Sequence, residues 1–123
     1  MVKVALLVHL EAKPGKEDQV AKFLTSALTL ANQEATTPVW FAIRSSTNTF
    51  AIFDAFADEG GRQAHLGGPI AAALMANAKE LLVAAPHIEQ VAAGVILFTC
   101  RDPTCAGHLP DAQTIGTYNC AAS

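Results

Sequence analysis

The 123-residue sequence predicts a single α+β domain in which a four-stranded antiparallel sheet carries helices on one face. Three observations predict it. Apolar spacing switches between strand-like and helix-like periods in the order β-α-β-β-α-β. The two middle strand segments are joined by only three turn-forming residues, so they must run antiparallel. Charged residues make up 15% of the chain, against about 25% in a typical soluble domain, which suits a surface partly covered by a second copy.

Residues 2–12 (VKVALLVHLEA) are β-branched and aliphatic and stop at Lys13-Pro14-Gly15, which marks a strand with apolar side chains on both faces. From Lys16 the period becomes helical. Val20, Phe23, Leu24, Ala27, Leu28 and Ala31 form one apolar stripe, and Glu17 and Asp18 complement the dipole of the first turn. The helix is expected to end near Ala35, before Thr36-Thr37-Pro38.

Residues 39–45 (VWFAIRS) and 49–57 (TFAIFDAFA) read as a hairpin across Ser46-Thr47-Asn48. Alternation puts Phe50, Ile52, Asp54 and Phe56 on one face, with Ala51, Phe53 and Ala55 on the other. A second helical region begins at Asp58 and breaks at Gly67-Gly68-Pro69, where Pro69 suits the first position of a new helix. Ile70, Ala73, Leu74, Ala78 and Leu81 supply its stripe, and residues 87–98 (HIEQVAAGVILF) form the last strand. This is the split βαβ order of ferredoxin-like folds. Its helices cover one sheet face, and a second copy of the sheet is expected to cover the other, giving a homodimer. Residues 1–98 therefore form the domain, and residues 99–123 an irregular tail without strand or helix period.

A net charge of -3 with scattered basic residues excludes a phosphate-backbone binder. No apolar run reaches the roughly 18 residues of a membrane span. The apolar stretch at residues 4–8 is too short for a signal-peptide core, so a cytoplasmic protein is expected. Neither Gly60-Gly61 nor Gly67-Gly68 belongs to a nucleotide-binding glycine motif. Cys100, Cys105 and Cys120, odd in number, do not read as a disulfide framework. With His108 they match no common zinc module, so no metal site is expected.

Residues 50–70 (FAIFDAFADEGGRQAHLGGPI) resemble the signature segment of the antibiotic biosynthesis monooxygenase family. There a strand ends in an aromatic-acidic pair, followed by a helix carrying Ala-His, a short break and often Pro-His. Phe53-Asp54, Ala64-His65 and Pro69 stand at those positions, and the opening strand, PGK turn and amphipathic helix also match, over residues 2–97 in all. The family's frequent second histidine is Ile70 here. The resemblance implies a dimeric α/β barrel and a monooxygenase that needs no cofactor and acts on a small electron-rich aromatic. It also leaves a second branch, a non-catalytic dimeric module that binds a ligand or haem.

His65 is the candidate base, since a neutral imidazole takes a phenolic proton near neutral pH. Its alternative role is to tie the helix end to a carboxylate such as Asp54. Asp54, among aromatic residues, needs a partner if buried, with His65 and Arg44 the candidates. Trp40 and Arg44 lie four apart on one strand face. With Phe50 or Phe53 they could wall an aromatic pocket and hold a substrate oxyanion, or serve as interface anchors. His9, one strand away, is the remaining candidate for the cavity lining or a satisfied core histidine.

Overall fold

The computed structural model describes residues 2–91 and the backbone of residues 114–118. The elements are β1 (Val4–Glu11), α1 (Glu17–Ala31), β2 (Val39–Arg44), β3 (Thr49–Phe56), α2 (Glu59–Leu66), α3 (Pro69–Leu81), β4 (His87–Val91) and β5 (Thr114–Tyr118). All neighbouring strands are antiparallel, in the order β4-β1-β3-β2-β5. The first four are the ferredoxin-like arrangement expected from the sequence. β5 is not: residues 114–118 fall in the tail that lacks a strand period, yet they pair with β2 from Val39↔Tyr118 to Ile43↔Thr114. Backbone pairing at an open sheet edge asks for no particular side chains, which is why the pattern was silent. The expected continuation of β4 over residues 92–98 lies outside the described residues, as do the three cysteines.

The β1–α1 turn passes through Gly15 at φ 84°, a left-handed conformation that favours glycine. α1 buries Val20, Leu24, Ala27 and Ala31, one stripe of its apolar face. It stops at Ala31, four residues before the expected end. The chain then tightens into i→i−3 turns: Gln33 N–H donates to Leu30, Glu34 to Ala31 and Thr37 to Glu34, at 3.0–3.1 Å. These turns aim Glu34 back at the protein instead of letting it follow the helix spiral.

α2 starts from Asp58, whose carboxylate accepts from Gly61 N–H at 2.9 Å. Arg62, buried on this helix, donates to the carbonyls of Ala5 at 3.3 Å and Val91 at 2.9 Å, and pairs with Glu59. It thereby ties α2 to the directly paired positions of β1 and β4. Leu24, Ala27, Trp40, Ala42, Phe50, Ile52, Ile70 and Leu74 belong to the large cluster between helices and sheet. The opposite sheet face holds a smaller cluster of Val2, Ala5, Val39 and Ala55, with Phe41, Phe53 and Val91 half-buried and Ile43 43% exposed.

α2 approaches the α1–β2 turn so closely that a Cβ on Gly61 would stand 3.1 Å from the Thr36 carbonyl and 3.4 Å from the Phe56 Cβ. Gly61→Ala gains up to about 1 kcal/mol of helix propensity but incurs about 1–3 kcal/mol of overpacking. The expected result is a net loss of about 1–2 kcal/mol, read as a lower urea midpoint at unchanged m-value.

Candidate functional site

Three elements converge beneath α2. Asp54 stands on the helix-side face of β3, in one cross-strand row with Leu6 of β1 and Trp40 of β2. His65, in the last turn of α2, points down onto it, with Nε2 3.0 Å from Asp54 Oδ2. On the other side of the ring, Nδ1 lies 2.6 Å from Glu34 Oε2. Thr37 Oγ1 donates to the same glutamate oxygen at 2.8 Å. The Phe56 ring packs against the imidazole, 5.4 Å between centroids. His65 is 6% exposed and Asp54 1%.

Two nitrogens facing two carboxylate oxygens can both donate only if the ring is an imidazolium. Burial is the largest influence on each group. It pushes Asp54 above its ordinary 3.8, with the hydrogen bond and charge of His65 pulling part of the way back. Burial also pushes His65 down, but the hydrogen bonds and charges of Asp54 and Glu34 outweigh it and leave the ring above its ordinary 6.5. Both shifts favour a bound proton.

Three buried polar atoms around this network have no hydrogen-bond partner among the described residues: Asp54 Oδ1, Glu34 Oε1 and Trp40 Nε1. Two of them, an acceptor and a donor, belong to directly paired residues on one face of the sheet. Opposed residues have Cβ atoms about 4.5–5.5 Å apart. The two side chains therefore start from neighbouring positions on the helix side of the sheet.

Of the sequence candidates, the fold brings together His65, Asp54 and Trp40. It separates the rest. Phe53 projects to the opposite sheet face, as strand alternation requires. His9 is on that face too, paired with His87 and half-exposed, with Nε2 3.4 Å from Glu89 Oε2. Arg44 shares the face of Trp40 but stands opposite Phe50, four residues along the strand. Its guanidinium lies 5.3 Å from the Phe50 ring centre and donates to the turn carbonyls of Ser46 and Thr47. Asp54 therefore finds its partner in His65, not Arg44. Ile70, at the family's second histidine position, is a buried core residue. Glu34 and Thr37 are the members that the sequence did not reveal. Their only signal was an acid in a polar turn before Pro38.

A small apolar crevice between α1 and α3, about 10 Å³, is lined by Val20, Phe23, Leu74 and Leu81 among others and holds no titratable group. No helix among the described residues is long and apolar enough to cross a membrane. None of their His, Cys, Asp and Glu side chains group in a way that could hold a metal ion.

The chain has the fold of the antibiotic biosynthesis monooxygenase proteins. A candidate monooxygenase of that kind from Deinococcus radiodurans superposes with a TM-score of 0.68 at 18% identity, covering 79% of this chain and 98% of the other. One from Caulobacter crescentus gives 0.65 at 18% identity, covering 76% and 92%. These likenesses establish the fold. A protein of unknown function from Nitrosomonas europaea is 57% identical, covers 81% of this chain and 97% of its own, and superposes with a TM-score of 0.76. The chain belongs to the same family as that protein. No protein-family model and no curated protein matches it.

Because His65 and Asp54 both bind a proton more readily in the folded than in the unfolded chain, folded protein gains protons relative to unfolded. Stability from the imidazole is complete below its unfolded value of 6.5 and is lost as pH rises through the higher folded value. The urea midpoint is expected to fall as pH rises above 6.5, with a shallower slope in His65→Gln. Equal slopes in the two proteins would show that His65 does not carry the effect. Asp54→Ala, which strands the buried imidazole, is expected to cost about 3–5 kcal/mol in the same measurement.

Proposed function

We propose that the chain is a cofactor-independent monooxygenase of a small, uncharged, hydroxyl-bearing aromatic, working as a homodimer. The observation that carries this reading is the pair of open buried atoms, Asp54 Oδ1 and Trp40 Nε1, on facing strand positions beside a charged His65. A phenolic hydroxyl donates its proton to Asp54 Oδ1, and the Trp40 N–H stabilises the oxyanion that remains. The raised Asp54 carboxyl is a better base than an ordinary aspartate for such a proton. His65, with both ring nitrogens engaged, acts as the charge that supports Asp54.

The electron-rich anion then adds dioxygen at carbon, and the peroxide anion so formed takes the proton back from Asp54 to give a hydroperoxide. Loss of water from a CH–OOH group leaves a carbonyl, so that one oxygen atom enters product and the other leaves as water. Two carboxylates beside the site disfavour an anionic substrate. The two arginines among the described residues are engaged elsewhere, Arg62 with Glu59 and backbone carbonyls, and Arg44 with its own turn.

The apolar sheet face bearing Phe41, Ile43 and Phe53 supports dimerisation, with the second copy's sheet as cover. An odd number of cysteines suits the reducing cytoplasm. Sedimentation is expected to give twice the chain mass.

One observation favours a second reading, a non-catalytic module in which the network is a structural lock. Asp54 and His65 are almost wholly buried beneath α2. Oxygen uptake by metal- and flavin-free protein separates the two. With hydroquinones, naphthols and anthrones, uptake above the autoxidation blank is expected, and Asp54→Asn lowers kcat at least about 100-fold. A panel without uptake, or an Asp54→Asn protein with full turnover, overturns the catalytic reading.

A further inference from the structure

Glu34 belongs to the network, yet the reaction above gives it no task. Its position is not accidental to the fold. The i→i−3 turns after α1 deliver it, Thr37 grips one carboxylate oxygen, and the other lies 3.4 Å from where a Cβ on Gly68 would stand. The carboxylate is thus wedged between the α1–β2 turn and the break that separates α2 from α3. At 16% side-chain exposure it is the most open member of the three.

The two nitrogens of an imidazole are linked through the ring. An acceptor on Nδ1 fixes which atom carries a proton, orients the plane and increases the basicity of Nε2. An imidazole free at Nδ1 can lose that proton and turn about its side-chain bonds. We propose that Glu34 is a positioning residue: by accepting the Nδ1 proton of His65, it keeps the ring charged and holds Nε2–H on Asp54 Oδ2, which leaves Oδ1 as the carboxylate atom free for a substrate proton. The kinetic part of this inference rests on the oxygenase reading, whereas the state of the ring does not.

The groups facing His65 are few. Asp54 and the Phe56 ring reach it from β3, and Glu34, held by Thr37, reaches it from the α1–β2 turn. On its own helix, Arg62 is turned toward Glu59 and the backbone of β1 and β4. Among the described residues the ion-pair partners of His65 are Asp54 and Glu34, neither of them on α3. Removing the charge of Glu34 is therefore expected to act on the imidazole with little competition.

Ring-nitrogen NMR on the wild-type protein tests the state directly and needs no variant. At neutral pH His65 is expected to show protons on both nitrogens, and a ring lacking the Nδ1 proton would overturn the proposal. In Glu34→Gln, which keeps the shape and loses the charge, the His65 titration is expected to move down by about one pH unit or more, a tenfold loss of proton affinity. Glu59→Gln, on the same helix but outside the network, should leave that titration in place. An unchanged His65 titration in Glu34→Gln overturns the positioning role whether or not the protein is an oxygenase. Where wild type consumes oxygen, Glu34→Gln should lower kcat about tenfold or more with KM unchanged, and displace the limb of the pH–rate profile that follows His65. A rise in KM alone would overturn the role. A shifted titration in a protein that oxidises nothing overturns the oxygenase reading and leaves the positioning of His65 standing.

Discussion

An imidazole buried between two carboxylates governs much of this structure. An imidazole removed from water is tolerated only when its ring nitrogens are satisfied, and His65 finds a carboxylate on each side, Asp54 from the sheet and Glu34 from the turn after α1. That requirement fixes three elements relative to one another. α2 must lie across β3, the α1–β2 connection must fold back rather than extend the helix, and the α2–α3 break must leave room for Glu34. Gly61 and Gly68 stand at two of these approaches, where an added Cβ would lie 3.1 Å from the Thr36 carbonyl and 3.4 Å from Glu34 Oε1. The small side chains of this region therefore follow from the same demand as the charged ones.

The rest of the sheet organises around this point. Cross-strand pairing places Leu6, Asp54 and Trp40 in one row on the helix side of the sheet, with Val8, Ile52 and Ala42 in the next. Apolar neighbours deepen the burial that raises Asp54, and the same burial makes an open Trp40 N–H or Asp54 oxygen costly. Buried polar atoms left without partners are uncommon in folded proteins and cluster where function demands them. At the other edge of this region, Arg62 uses its guanidinium on backbone carbonyls and Glu59. Its role is to hold β1, β4 and α2 together, and it leaves the imidazole without a competing cation.

Fold and chemistry carry different weight here. The likeness to candidate antibiotic biosynthesis monooxygenases is one of backbone course at 18% identity, and one fold supports many chemistries. The relative at 57% identity has no known function. What the proposed reaction rests on is local: a buried carboxyl with a raised affinity for protons, an indole N–H on the facing strand position and an imidazole beside it. The network also has a purely mechanical value, because it joins helix, strand and turn at one buried point. Both values can coexist in one constellation, as a site held rigid by the hydrogen bonds that stabilise the fold.

By itself the sequence determined the order of elements and the face each strand residue occupies, because periods of 2 and 3.6 are written in the spacing of apolar side chains. The placing of Phe50, Ile52, Asp54 and Phe56 on one face, and of Phe53 on the other, followed from alternation alone. That Asp54 needs a partner was legible as well, with His65 and Arg44 as the two candidates, and the tertiary structure chose His65. Glu34 was not legible. It sits outside any periodic segment, and its contact with His65 spans 31 residues and depends on turns whose hydrogen bonds leave no apolar pattern. The separation of His9 and Arg44 from the site, and the pairing of residues 114–118 with β2, were likewise decided only in three dimensions. Side-chain alternation limits a strand to registers that keep its apolar face inward, but which distant segment pairs at a sheet edge is decided by backbone hydrogen bonds that leave no mark in the periodicity of either segment.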